Sequence, residues 1–190
     1  MNISRELLVT FFALPLFYGL QSSAGGQGLE KQQAPESVAI AYFEALQNNH
    51  LNDLAGYLHL EALNRFRNML MPVIGQGAKD KNEVKKVLSI FDGVKSIEEL
   101  KALSPQGFFT SLFKGMSAIN PEMRNIYANT KFQIIGHVNE GDIVHVVYRG
   151  STSMNGASMT QLDVVSLKRQ GSDWRLLLTG EMENLVNLLK

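Results

Sequence analysis

The chain contains no cysteine. That excludes a disulfide framework, a thiol nucleophile and a lipid-anchor cysteine. It also lacks an excess of either charge: 18 Lys and Arg balance 18 Asp and Glu, for a formal net charge of zero. Nucleic-acid binding driven by counterion release needs a basic stripe. The densest basic group here, Lys79, Lys81, Lys85 and Lys86, has Asp80 and Glu83 set among it and reads as a solvated helix face. His50, His59, His137 and His145 form no metal set. The i, i+3 pair His50 and Asp53 has no second motif to complete it, and Glu61 beside His59 has none either. The glycine-rich stretches at 25–28 and 75–77 lack the lysine and the strand–helix context of a phosphate loop. Ser111, Ser117 and Ser153 lack the setting of a nucleophile elbow. No cofactor motif is present, and Met69, Met71, Met116 and Met123 read as core filling.

Long apolar runs are scarce as well. Residues 7–20 are uncharged for about 14 positions, short of the roughly 20 needed to span a bilayer. A short polar start with Arg5 precedes this run, and Ser22 and Ala24 follow it as small residues. That is the three-part pattern of a secretory signal, cleaved after Ala24. The competing reading is an uncleaved anchor, against which stand Pro15 and the small residues after Leu20. The expected organisation is a signal peptide at 1–24, a polar linker at 25–34 and one domain at 35–190. The expected location is the periplasm or outside the cell, with no membrane span after cleavage.

The rest of the chain divides by period. Pro35 suits the first position of a helix, and PESVAIAYFEALQNN presents a wide apolar face that includes Val38, Tyr42, Phe43 and Leu46. A short helix follows in LNDLAGYL. LEALNRFRNMLM then carries Leu63, Phe66 and Leu70 in phase, and Pro72 is expected to end that helix. Val84, Val87, Leu88 and Phe91 mark another helix, stopped at Gly93. Ser96 with Glu99 forms a capping box. Ser104 with Pro105 opens a helix that turns Phe108, Leu112 and Phe113 inward. These helices make up an insertion at about 80–120.

After Pro121 the pattern changes to strands joined at Glu140-Gly141, Asn155-Gly156 and Gly171-Ser172. An amphipathic helix at 181–190 closes the chain. Helices followed by hairpins make an α+β fold, with N-terminal helices packed on a four-stranded antiparallel meander. The order, with a helix PESVAIAYFEALQNNHLNDLAGYL first and a meander ending VVSLKRQGSDWRLLL, resembles the nuclear-transport-factor-like superfamily that includes ketosteroid isomerase. The resemblance covers roughly residues 35 to 180. It implies a cone with one open end, where some members hold small molecules and others bind partners or dimerise.

Turn positions set a register, and register decides which side chains meet. A turn at Glu140-Gly141 pairs Asn139 with Asp142 and so places Gln133 opposite Tyr148. The Asn-Gly turn places Tyr148 opposite Asp163. Gln133, Tyr148 and Asp163 then cross one face beside Ile135, Val146, Val165 and Leu178. With Tyr42 they are the candidate ligand-binding residues, for a small apolar ligand. Tyr148 and Asp163 are also the candidates for acid–base catalysis, because apolar surroundings raise a carboxyl pKa. The plainer alternative is a tyrosine hydroxyl satisfied by a carboxylate near the sheet rim. The opposite face carries Ile134, Val147, Val164 and Leu177. An apolar row there implies a cover, either a second copy of the chain, giving a homodimer, or the C-terminal helix. Two functions follow: an exported module that binds a small ligand or a protein, or an isomerase-like or cyclase-like enzyme using Asp163 and Tyr148. Fold alone does not choose between them.

Overall fold

The structure is a computed structural model, and it describes residues 33–77, 80–154 and 157–178. The expected signal peptide (1–24), the expected linker (25–34) up to residue 32, the expected turn residues Asn155 and Gly156 and the expected C-terminal helix (181–190) lie outside the described residues. The described elements are α+β, with helices first and strands after. They are α1 (Pro35–Gln47), α2 (Leu54–Tyr57), α3 (Leu60–Gly77), α4 (Lys81–Leu88), α5 (Ile97–Ala102), α6 (Pro105–Ile119) and α7 (Pro121–Ala128), then β1 (Thr130–Glu140), β2 (Ile143–Met154), β3 (Ala157–Gln170) and β4 (Asp173–Leu176). The strands form one four-stranded antiparallel sheet in the order β1-β2-β3-β4. Among the described residues no helix is long and apolar enough to cross a membrane.

Local chemistry sets most helix ends. Ser104 Oγ accepts from Gly107 N at 3.0 Å with Pro105 at the first helical position of α6. Ser96 Oγ accepts from Glu99 N at 3.1 Å, while the Glu99 carboxylate reaches one residue further back than a capping box does and accepts from Lys95 N. Pro72 does not end α3, which continues to Gly77. The proline removes the hydrogen bond to the carbonyl of Asn68, but both residues are exposed, so the lost bond is on the side of the helix open to solvent. The buried stripe Leu63, Phe66, Leu70 and Ile74 carries on past it. Helix α7 was not expected. It is eight residues long and fully buries none of them, with Met123, Ile126 and Tyr127 half-buried on one side; Asn120 caps it and Pro121 opens it.

One core cluster joins both halves of the chain. Phe66 of α3 meets Phe108 and Phe109 of α6 edge-on, and Phe91 meets Phe108. Leu88, Phe91, Leu100, Phe108, Phe109 and Leu112 all belong to the cluster, so the helices at about 80–120 are part of the core and not an appendage. The inner face of the sheet adds Val144, Val146, Val165, Leu167 and Leu176. Helix α1 lies along β1 on this inner side: Glu36 meets His137, Phe43 stacks on Phe132, and Gln47 donates to the Thr130 carbonyl.

The β1–β2 register differs from the expected one, for two physical reasons. The turn residues are Gly141 and Asp142, since Glu140 pairs with Ile143. Gly141 has φ 60°. A two-residue turn at Glu140-Gly141 puts a glutamate where φ must be positive, whereas glycine in the first turn position removes that strain. In addition, a bulge lies between Ile134 and Gly136. Beyond it Ile134 pairs with Tyr148, and Gln133 with Arg149. The β2–β3 register matches the expected one, with Met154 paired with Ala157 and Tyr148 with Asp163.

Candidate functional site

The one-residue shift rearranges the candidates on the two faces of the sheet, because strand side chains alternate. Gln133 belongs to the outer face, where Arg149 Nη1 donates to its Oε1 at 3.3 Å. Its expected place opposite Tyr148 is taken by Ile134, which packs against the core. Ile134 therefore leaves the outer row assigned to it. Ile135, expected to line the inner face, is the extra residue of the bulge and is exposed. Tyr42 packs on Tyr57 of α2, with ring centroids 6.3 Å apart.

Tyr148 and Asp163 do come together. Tyr148 Oη donates to Asp163 Oδ2 at 3.2 Å, and Asp163 Oδ1 accepts from Val164 N at 2.7 Å. Phe43 of α1 sits against the Tyr148 ring at 4.6 Å and stacks on Phe132 at 4.3 Å. A phenol and a carboxylate can exchange a proton with a bound substrate only if one lies within hydrogen-bond reach. Here each polar end meets a protein partner, and aromatic rings fill the space beside the phenol. The geometry is that of a strut between β2 and β3.

A shallow groove of about 390 Å³ lies elsewhere, between α2, the segment after α4, and α6. Asn52, Gly56, Asp92, Gln106 and Lys114 are among its lining residues; neither Tyr148 nor Asp163 is. Lys114 and Asp92 close an ion pair of 3.0 Å there. Among the described residues, no three His, Asp or Glu side chains gather as a metal set. His137 faces α1, where it meets Glu36. His145 lies on the outer face between Glu140 and Ser166. Neighbouring strand positions thus turn the two histidines to opposite sides.

The outer face is the more unusual surface. Val147 pairs with Val164 on it, and Leu177 N donates to the Ser166 carbonyl alongside. Ile135, Val138, Leu162 and Val164 are 49%, 57%, 55% and 39% exposed. An antiparallel sheet with one wet face ordinarily turns polar side chains to water. This one shows branched aliphatic side chains on three successive rows, edged by Arg149, His145 and Lys168. Sequence reasoning had picked out Val147, Val164 and Leu177 on this face. It missed Val138 and Leu162, although Leu162 could have been found from its pairing with Arg149 in the β2–β3 register.

The chain matches no protein-family model, and no functionally curated protein is significantly similar to it.

Proposed function

We propose that this protein is an exported interaction module that docks an apolar protein surface on the outer face of its sheet. The supporting observation is the patch formed by Ile135, Val138, Leu162 and Val164 around Val147, exposed among the described residues. A soluble chain seldom leaves contiguous aliphatic surface of this kind open to water unless something covers it. An aliphatic centre edged by Arg149, His145 and Lys168 has the composition of a protein interface. The element order supports placing the fold in the nuclear-transport-factor-like superfamily. The acid–base reading loses support, because Tyr148 and Asp163 satisfy one another beside packed rings.

The test is site-specific photocrosslinking in the native envelope. A crosslinker replaces Leu162 or Val138 on the outer face, or Ile40 on α1 as a control that is also exposed. Discrete adducts at both outer positions and none at Ile40 are expected. An adduct of twice the chain mass at Leu162, two strands away from β1, identifies a second copy face to face, the homodimer expected from the sequence, and any other mass there identifies a different protein. The absence of adducts at both outer positions refutes the proposal.

A further inference from the structure

The edge of the sheet carries a separate observation. Strand β1 is the terminal strand in the order β1-β2-β3-β4, and among the described residues no strand pairs with its far side. The other edge is treated differently: β4 is four residues long and is met by the Leu58 bridge and by His59 N donating to Leu176. Strand β1 is 11 residues long. Unpaired N–H and C=O groups along such a strand are a template for another strand.

We propose that a second copy of this chain pairs with β1, antiparallel and two-fold, centred between Ile135 and Gly136. The bulge selects that register. In a two-fold antiparallel pairing, residues placed opposite each other must point to the same face. On β1 the inward residues are Phe132 and Ile134 before the bulge, and His137 and Asn139 after it. The extra residue switches the alternation midway. A register centred between Ile135 and Gly136 sets Phe132 opposite the partner's Asn139 and Ile134 opposite the partner's His137, so inward meets inward throughout. The two bulges also coincide, so neither strand has a residue without a counterpart.

The same register pairs charges. Lys131 falls opposite the partner's Glu140, and the two-fold axis repeats the pair at the other end. Cross-strand neighbours of this kind stand about 5 Å apart at Cβ and attract when oppositely charged. Glu140 is at the surface, its side chain 77% exposed, and meets His145 through Oε2. In the middle, Ile135 falls opposite the partner's Gly136, where an added Cβ meets nothing within 4 Å, and lies diagonal to the partner's Val138. These are two of the exposed aliphatic residues. A charged residue and a bulge also serve to blunt edges. Blunting alone, however, requires neither the agreement of faces nor the agreement of charges about one axis. The product is a continuous eight-stranded sheet, with the outer apolar patches of both copies on one side. The edge pairing does not depend on what docks on that side.

Sedimentation equilibrium of the purified full-length mature chain at tens of micromolar tests this. Lys131→Glu and Glu140→Lys, taken singly, set like charges opposite each other at both ends, and each is expected to weaken dimerisation about tenfold. An equimolar mixture of the two variants restores opposite charges at both ends in the heterodimer, and wild-type affinity is expected to return. Val164→Glu, two strands away on the outer face, is expected to leave the edge dimer intact. Its effect on crosslinking at the outer face is read separately. Circular dichroism confirms that each variant is folded. A wild-type chain that is monomeric at this concentration overturns the proposal. So does a dimer abolished by Val164→Glu, or one whose single variants are not rescued on mixing.

Discussion

Gly115→Ala sets two effects of opposite sign against each other. In an open helix, alanine is favoured over glycine by about 0.8–1.0 kcal/mol. Gly115, however, lies on α6 where the chain after α4 crosses it. A Cβ there sits 2.2 Å from the Ile90 carbonyl oxygen, 2.6 Å from its carbon and 3.0 Å from Asp92 N. Non-bonded heavy atoms rest at about 3.5–4.0 Å, so the crossing backbone must withdraw by roughly 1 Å or more. It is not free to do so. Asp92 N donates to the Ser111 carbonyl at 2.9 Å, Ser111 Oγ donates to the Asp92 carbonyl at 2.8 Å, and Phe91 is buried against Phe108. Overpacking costs about 1–3 kcal/mol, and each weakened hydrogen bond adds about 0.5–1.5 kcal/mol. The clash outweighs the helical preference, and a net loss of about 1–3 kcal/mol is expected. At this chain length each kilocalorie lowers Tm by about 2–4 °C. Gly75 on α3 is the control, since an added Cβ there meets nothing within 4 Å. Gly75→Ala should stabilise by up to about 1 kcal/mol. Urea denaturation of both variants beside wild type measures the contrast. A Gly115→Ala protein as stable as wild type would show that the crossing segment yields, and the packing argument would fail.

Two further outcomes follow from the helical half. Phe113 is buried and stacks on Phe109 at 4.4 Å, so Phe113→Ala should cost about 3–5 kcal/mol in the same assay; a loss below about 1 kcal/mol would mean that α6 packs loosely. The Asp80 carboxyl is held below its usual value, first by the backbone N–H of Glu83 and then by that of Asn82, both donating to it at the start of α4. A lowered folded pKa gives stability that is present above the unfolded aspartate value and lost as pH falls through the folded one. The stability gap between wild type and Asp80→Asn should therefore narrow on acidification through that range, and a gap that widens would contradict the assignment.

The sequence alone determined what depends on near neighbours. The Ser96, Ser104 and Pro105 helix starts, the stripe Leu63, Phe66 and Leu70, and the change from helical to strand period are all local patterns. Each follows from hydrogen bonds or burial within a few residues. The β2–β3 pairing, with Tyr148 beside Asp163, was readable because it contains no bulge. Tertiary structure decided the rest. A bulge has no reliable local signature, yet one extra residue near Ile135 moved Gln133 to the outer face and Ile134 to the core. Helix α3 ran through Pro72 because its core stripe continued and the lost hydrogen bond fell between exposed residues. Helix α7 spans eight residues, too few for its half-buried Met123, Ile126 and Tyr127 to stand out as a period. The two sheet faces were told apart only after the helices had chosen one to cover. Strand period makes a face apolar, but which face becomes the interior depends on packing partners far away in the chain.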